Sequence, residues 1–258
     1  MAQCHDTDAE REGDWYVDEE FWRTFGPLMF GEEQFSEAAE QVRLLLSGIE
    51  PRPRRVLDLG AGPGRHALPL AEAGTEVTAV DTSALLLDEL QRRAADLGVE
   101  IETVREDMRS FRRPGAFDLA LVMWTSFGYF EDEDDHTEVL ERIHENLDED
   151  GLLVLDLVGL ETLSRTLEPV HLTEYEDGRL LVERPALVDG MRRLENEWLL
   201  VDGDRVERTT FSHRVWSAAE IRRLLADHGF SVEAIDADFE GNEYDLEAER
   251  MIVFARKT

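Results

Sequence analysis

The chain of 258 residues has one cysteine, one lysine and no long apolar run. The single cysteine, Cys4, excludes an internal disulfide and a cysteine-rich zinc site, and no acidic stretch has the spacing of a calcium-binding loop. We therefore expect no bound metal. No segment is apolar over the length needed to cross a bilayer, and the first fifteen residues lack the basic region and apolar core of a signal peptide. These absences favour a cytoplasmic protein with no membrane partner.

Basic residues are scarce as a class. Lysine and arginine together number 27 against 59 aspartates and glutamates, which gives a net charge of −32. The acidic residues are spread along the chain, so they do not form an interaction tail. A halophilic protein is the interpretation that we favour, because hydrated carboxylates keep a protein soluble at high salt and arginine avoids the long apolar stem of lysine. The same charge repels phosphates, so we expect no nucleic-acid partner.

Strand-like and helix-like segments alternate through most of the chain. The predicted strands are short aliphatic runs at Val56–Leu59, Thr75–Val80, Ile101–Arg105, Phe117–Met123, Leu152–Leu157, Ser231–Phe239 and Met251–Arg256. The predicted helices lie at Glu32–Leu46, Gly64–Ala73, Ser83–Leu97, Asp134–Asn146 and Ala218–Gly229. This alternation predicts an α/β fold with a doubly wound, mostly parallel seven-stranded sheet that helices cover on both faces.

The pattern changes after the fifth predicted strand, where three Asp-Gly pairs separate β-rich runs. Asp-Gly suits a tight hairpin turn because both residues can adopt positive φ. We therefore predict that His171–Phe211 is an inserted antiparallel β-meander. The expected domains are a helical cap over 1–50, a cofactor-binding core over 51–160, the insert over 161–212 and the completion of the core sheet over 213–258. The first 14 residues are polar and are predicted to be disordered.

A glycine-rich loop follows the first predicted strand, in the stretch VLDLGAGPGRHALPL from Val56 to Leu70. Such a loop can simply permit a tight strand-to-helix turn, or it can hold a nucleotide-like ligand at the start of the helix. The dinucleotide fingerprint Gly-x-Gly-x-x-Gly requires a small residue at its last place, where the helix packs on the strand. Counting from Gly60, that place is occupied by Arg65, which argues against a dinucleotide.

The loop closely resembles the first motif of the class I S-adenosylmethionine-dependent methyltransferases, an acidic residue followed by Gly-x-Gly-x-Gly. Asp58, Gly60, Gly62 and Gly64 occupy those places. Three further stretches, TEVTAVDTS, REDM and FDLALVMWTSFGYF, follow in the order and spacing of that family. The resemblance covers residues 54–158 and the segments after 213. It implies a Rossmann-like methyltransferase core with S-adenosylmethionine as cofactor.

The resemblance also gives roles to particular residues. Asp81 would bind the ribose hydroxyls, Asp107 would accept a hydrogen bond from the adenine amino group, and Arg65 would lie near the cofactor's carboxylate. From the residues alone, Asp81 could instead cap the next helix, and Asp58 could organise the loop by accepting from backbone amides. The full set of expected cofactor contacts is Gly60, Ala61, Gly62, Gly64, Arg65, Asp81, Thr82, Asp107, Met108 and Trp124.

The acceptor side is less defined. The insert and the aromatic loop resemble those of methyltransferases that act on small metabolites, which implies a small-molecule partner. Phe30, Phe127, Tyr129 and Arg214 are the expected substrate-pocket residues, although the aromatic rings could belong to the core and Arg214 could form a structural ion pair. MWTS stands after the fourth strand in place of an Asn-Pro-Pro-Tyr tetrapeptide, which argues against adenine or glutamine methylation. Nitrogen and oxygen stay open as acceptor atoms, as does the oligomeric state.

A general base is needed only if the acceptor arrives protonated. The candidates are His136, His213 and Tyr129, with His171 also near the expected pocket mouth, and each histidine could equally be a surface or capping residue. Two other functions fit the same scaffold. One is a nicotinamide-dependent oxidoreductase, and the other is a protein that binds S-adenosylmethionine without catalysis.

Overall fold

The structure is a computed structural model and describes residues 15–258. The predicted disorder of residues 1–14 therefore lies outside the described residues. The described part contains eleven strands: β1 Arg55–Leu59, β2 Glu76–Asp81, β3 Glu102–Arg105, β4 Phe117–Val122, β5 Leu147–Leu157, β6 His171–Glu174, β7 Leu180–Val188, β8 Arg193–Asp202, β9 Arg205–Arg214, β10 Phe230–Asp236 and β11 Met251–Lys257. It also contains seven α-helices: α1 Glu19–Met29, α2 Glu32–Gly48, α3 Ala67–Glu72, α4 Ala84–Leu97, α5 Glu133–Asn146, α6 Leu160–Thr166 and α7 Ala218–Asp227.

Seven strands form one sheet in the order β10-β11-β5-β4-β1-β2-β3. All neighbouring pairs are parallel except those of β11, which runs antiparallel to both β5 and β10. The central strands β1 and β4 are buried at nearly every position because helices cover both faces. The predicted fold class is confirmed. This topology brings the carboxyl ends of β1, β2, β4 and β5 to one edge, where ligands bind in such sheets.

The helix after the glycine loop is shorter than predicted. It begins at Ala67 instead of Gly64, because Gly64 has a φ of +87° that a right-handed helix cannot include. The absence of a side chain at Gly64 also allows close packing, because a Cβ at this position would overlap the side chain of Leu90 on α4. Short helix α6 has no counterpart among the predicted segments.

The remaining four strands form a separate antiparallel sheet in the order β6-β7-β8-β9, as the meander prediction required. The turn chemistry differs from the prediction in two of the three places. Only Asp189-Gly190 has positive φ at both residues, 47° and 62°, whereas Gly178 and Gly203 adopt positive φ without their preceding aspartates. Along residues 15–258, no helix has the length and apolar character needed to cross a bilayer.

Candidate active site

The glycine loop begins with backbone hydrogen bonds to the neighbouring strand. The N–H groups of Gly60 and Ala61 donate to the carbonyl of Val80, at 2.9 and 3.1 Å. A Cβ at Gly60, where φ is +69°, would lie 3.1 Å from the side chain of Ser126. The loop therefore passes close to the segment that follows β4, and the absence of a side chain keeps the space between them open.

A cavity lies at this edge of the sheet, between the loop and the N-terminal helical segment. The predicted site residues that line it are Phe30, Gly60, Ala61, Gly62, Arg65, Asp81, Thr82, Asp107, Met108, Trp124 and Tyr129. Further lining residues that the sequence did not single out include Tyr16, Trp22, His66, Glu106 and Ser126. Most of the predicted cofactor set is thus brought together in one place.

Two buried groups of opposite charge border the cavity without strong partners. The side chain of Asp58 is only 2% exposed, and its Oδ2 accepts no hydrogen bond within residues 15–258, so it does not bond the loop amides through that atom. Burial, together with the nearby Asp81, raises the pKa of Asp58 to about 7. Arg65 is 7% exposed, and its guanidinium lies 4.0 Å from the centre of the Trp124 ring. Burial lowers the pKa of Arg65.

Burying such charged groups costs free energy unless a bound ligand supplies the missing hydrogen bonds and opposite charge. Across the described chain, Arg65 forms no salt bridge, although aromatic faces hold its guanidinium. A ligand that carries both an ammonium and a carboxylate would satisfy Asp58 and Arg65 together. The methionine end of S-adenosylmethionine is such a zwitterion, so the residues present fit that cofactor.

Asp81 holds the glycine loop in place. Its Oδ2 accepts from the Gly62 N–H at 2.8 Å and its Oδ1 from the Ser83 N–H at 2.9 Å. Burial raises the pKa of Asp81, although these backbone donors oppose that effect. Ser83, rather than Asp81, is the N-cap of α4, since its hydroxyl accepts from the Leu86 N–H. Each oxygen of Asp81 keeps a lone pair that a ribose hydroxyl could use.

Asp107 is held by an arginine that the sequence did not single out. The side chain of Arg109 donates to both carboxylate oxygens of Asp107, at 3.0 and 2.6 Å, and also to Asp135 at 2.9 Å. A further donor of Arg109 lies 3.2 Å from the hydroxyl of Tyr16. Arg109 therefore links the expected adenine site to the segment that covers the cavity. Its signal in the sequence was only its position two residues after Asp107.

Three predicted site residues lie in the core instead of lining the cavity. His136 is 1% exposed, and its ring lies 5.3–5.5 Å from those of Phe127, Phe130 and Trp216. Burial lowers its pKa to about 4. Phe127 is fully buried in the same cluster. Arg214, 3% exposed, pairs with the carboxylates of Glu133 and Glu220 at 2.9 and 3.1 Å. Phe127 and Arg214 thus take their alternative roles, as a core residue and in a structural ion pair. His136 is a core residue, and not the surface or capping residue that the sequence also allowed.

The other candidates occupy different positions. Gly64 packs against α4 and does not line the cavity, and His171 is exposed on edge strand β6. Tyr129 lines the cavity, and burial raises the pKa of its hydroxyl to about 12, so it stays protonated at neutral pH. His213 is half-buried near the end of β9, and its side chain makes no hydrogen bond within the described residues. Burial, with Arg193 and Arg250 nearby, lowers the pKa of His213 to about 4.

The chain is similar to known methyltransferases. A model described as a methyltransferase domain matches residues 56–151. A putative methyltransferase of Geobacillus sp. (strain WCH70) is 28% identical over 209 residues, which are 79% of this chain and 85% of that protein. A glycine/sarcosine N-methyltransferase of Aphanothece halophytica is 26% identical over 209 residues, 79% of this chain and 76% of that protein.

Among solved structures, the CcbJ methyltransferase of Streptomyces caelestis has the same fold. Its TM-score is 0.76 at 21% identity, with 89% of this chain and 98% of that chain covered. The matched domain and the fold support an enzyme that uses S-adenosylmethionine. The chain contains a methyltransferase domain at residues 56–151 and has the fold of the class I S-adenosylmethionine-dependent methyltransferases.

Proposed function

We propose that the protein methylates the nitrogen of a small amine metabolite. The observation that carries the cofactor assignment is the pair of incompletely satisfied buried charges, Asp58 and Arg65, which border the cavity. The relative from Aphanothece halophytica is named as a glycine/sarcosine N-methyltransferase, and this name supports a small amine as acceptor.

Each part of the cofactor has residues that would hold it. Asp58 would accept from the ammonium, Arg65 would donate to the carboxylate, Asp81 would accept from the ribose hydroxyls and Asp107 from the adenine amino group. When bound, S-adenosylmethionine supplies a methyl group on a positively charged sulfur, which a nucleophile can take in line. The aromatic side chains of Tyr16, Trp22, Phe30, Trp124, Tyr129 and Phe130 surround the cavity and would exclude water.

The acceptor nitrogen must arrive with a free lone pair. His213 shares a strand face with Phe211, whose ring lies 4.7 Å from that of Trp15, and Trp15 in turn lies 4.6 Å from Tyr129 of the cavity wall. The low pKa of His213 keeps its imidazole neutral at pH 7, so a ring nitrogen can accept a hydrogen bond from an amine N–H. The nearby guanidinium groups of Arg193 and Arg250 disfavour a protonated amine. His213 would thus orient a neutral amine for transfer.

The acidic composition supports a setting of high salt. A net charge of −32 with a single lysine is the balance expected of a halophilic protein in a salt-rich cytoplasm, where its self-repulsion is screened. We propose the same setting for this enzyme, with no nucleic-acid or membrane partner.

Thermal unfolding in high salt gives the first test. We expect S-adenosylhomocysteine to raise the melting temperature and reduced nicotinamide cofactor to leave it unchanged; stabilisation by the nicotinamide cofactor alone would overturn the proposal. The second test incubates the enzyme with methyl-labelled S-adenosylmethionine and pools of small amines, alcohols and carboxylic acids. Labelled products from the amine pool are expected. Products from the alcohol pool alone would identify oxygen as the acceptor, and binding without any product would identify a noncatalytic protein.

A further inference from the structure

The turn after β4 contains two consecutive residues in a backbone conformation that favours glycine. Trp124 has a φ of 55° and Thr125 a φ of 72°. Neither side chain suits this region, and Thr125 is also β-branched, so the conformation persists only if its surroundings impose it. The residues that impose it therefore control where this turn places its side chains.

Asp156, at the end of the neighbouring strand β5, supplies most of the contacts that hold the turn. Its side chain is buried, and its Oδ2 accepts from the Trp124 N–H at 3.1 Å. Its backbone carbonyl accepts from the Thr125 N–H at 2.8 Å. Both N–H groups of the strained pair are thus satisfied by a single residue.

Arg250, which immediately precedes β11, fixes Asp156 in turn. Its Nε donates to Oδ1 of Asp156 at 2.6 Å, and another of its guanidinium nitrogens lies 3.3 Å from the Thr125 hydroxyl. Because β11 runs antiparallel to β5, its first residues lie at the carboxyl edge of the sheet, beside the turn. One guanidinium therefore contacts both the turn and the carboxylate that holds it.

The turn presents the indole of Trp124 to Arg65. The guanidinium of Arg65 lies 4.0 Å from the ring centre of Trp124 and 5.9 Å from that of Phe30. These two rings hold a guanidinium that has no carboxylate partner in the described chain. If the φ of Trp124 became negative, its side chain would leave this face and Arg65 would lose one wall.

We propose that Asp156 and Arg250 are positioning residues for the cofactor site. They maintain the strained turn at Trp124 and Thr125, which places the Trp124 ring against Arg65 and thereby orients the guanidinium toward an incoming carboxylate. This inference rests on the proposed function for the identity of the ligand. The proposal adds Asp156 of β5 and Arg250, which immediately precedes β11, to the residues that serve the site. Neither of them lines the cavity itself.

The test measures the affinity for S-adenosylhomocysteine by calorimetry at pH 7 in high salt. Asp156→Asn keeps the size of the side chain but turns an amide donor toward either Trp124 N–H or Arg250, so one of the two hydrogen bonds is lost. We expect roughly a tenfold weaker affinity, and a similar loss for Arg250→Lys, which keeps the charge but not the forked geometry. The matched control is Arg256→Gln, which breaks the ion pair between Arg256 of β11 and Glu233 of β10. It should leave the affinity unchanged.

A second substitution separates positioning from general stability. Thr125→Gly permits a positive φ at that position without strain. We expect the double variant Asp156→Asn/Thr125→Gly to bind S-adenosylhomocysteine with an affinity within about threefold of that of Thr125→Gly alone. If the Asp156–Arg250 ion pair were purely structural, Asp156→Asn would have a lower melting temperature and an unchanged affinity, and this result would overturn the proposal. A tenfold loss of affinity that Thr125→Gly does not restore would also overturn it.

The crystal structure of Asp156→Asn gives a readout that does not depend on any cofactor. We expect Trp124 to leave the positive-φ region and its ring to move off Arg65; an unchanged turn would refute the positioning role. If the unmodified protein does not bind S-adenosylhomocysteine, the proposed function fails, and the structure of the variant still decides whether Asp156 holds the turn.

Discussion

Glu19 of α1 binds the N-terminus of α4 through the backbone N–H of Ala84. Its Oε1 lies 2.8 Å from that nitrogen, and its Oε2 accepts from the Ser83 hydroxyl at 2.8 Å. A carboxylate at this place interacts favourably with the partial positive charge of a helix N-terminus. Asp81 and Thr82, which line the cavity, directly precede these contacts. The helix that covers the cavity is therefore attached beside the expected ribose site.

Replacing Glu19 by glutamine should loosen that attachment. We expect the free energy of unfolding to fall by about 1 kcal/mol, because the charge at the helix N-terminus is lost. Dissociation of S-adenosylhomocysteine should become several-fold faster, since the segment that covers the cavity opens more often. Stopped-flow displacement measures this rate. Glu20→Gln is the control, because Glu20 is exposed and, among residues 15–258, its side chain pairs only with Arg23. Equal dissociation rates in the two variants would contradict the attachment.

The cofactor affinity should depend on pH through Asp58. Its pKa of about 7 in the free protein means that roughly half of the molecules are protonated at neutral pH. An ammonium binds the ionised carboxylate, so affinity should rise as pH increases from 6 to 8, by up to about tenfold per pH unit below the pKa. Binding at pH 7 should also release about half a proton per protein molecule, which calorimetry in two buffers of different ionisation enthalpy detects.

Asp58→Asn provides the comparison for this effect. The amide does not titrate, so the affinity of the variant should be weaker and nearly flat over the same pH range. Parallel pH profiles for the variant and the unmodified protein would mean that another group is responsible. Arg65 is not a candidate for that group, because a guanidinium stays charged throughout this pH range.

The sequence predicted the cofactor side of the cavity better than the acceptor side. Asp81 and Asp107 follow parallel strands, and such strands end at one sheet edge whatever the helices do, so adjacency in space followed from order in sequence. The side chains of Phe127 and His136 turned into the core because of packing against Trp216, which no local pattern encodes. The contact between Glu19 and α4 joins residues 65 positions apart, and it too left no local signal.

The buried histidine His136 should make stability depend on pH. Its pKa is about 4 in the folded protein, against 6.5 for an ordinary histidine, so the unfolded chain binds a proton first as pH falls. Above about pH 6.5 the histidine is neutral in both states, and the stability is fully present. Between pH 6.5 and pH 4 the unfolded chain binds the proton and the folded protein does not, which lowers the free energy of unfolding by about 3 kcal/mol. His136→Phe, in its aromatic surroundings, should remove that part of the loss.

Urea unfolding at pH 7 and at pH 4.5, in high salt, measures the difference. The unmodified protein should lose more stability between the two pH values than His136→Phe does, while the exposed His171→Gln should behave like the unmodified protein. His66 and His213, whose pKa values are also lowered by burial, keep their own contributions in every variant. The same pH dependence in His136→Phe and the unmodified protein would show that His136 gains its proton without unfolding.

Salt should stabilise the fold if the net charge of −32 reflects adaptation to a salt-rich cytoplasm. The Debye length shrinks from about 10 Å at 0.1 M to about 3 Å at 1 M, so repulsion between the many surface carboxylates is removed in that range. We expect the free energy of unfolding to rise by a few kcal/mol, which corresponds to a rise of about 10 °C in the melting temperature for a chain of this size. Sodium chloride and potassium chloride at equal ionic strength should act alike, whereas an uncharged osmolyte such as sucrose should not reproduce the full effect. Complete stability at 0.05 M salt would mean that the acidic surface serves some purpose other than salt tolerance.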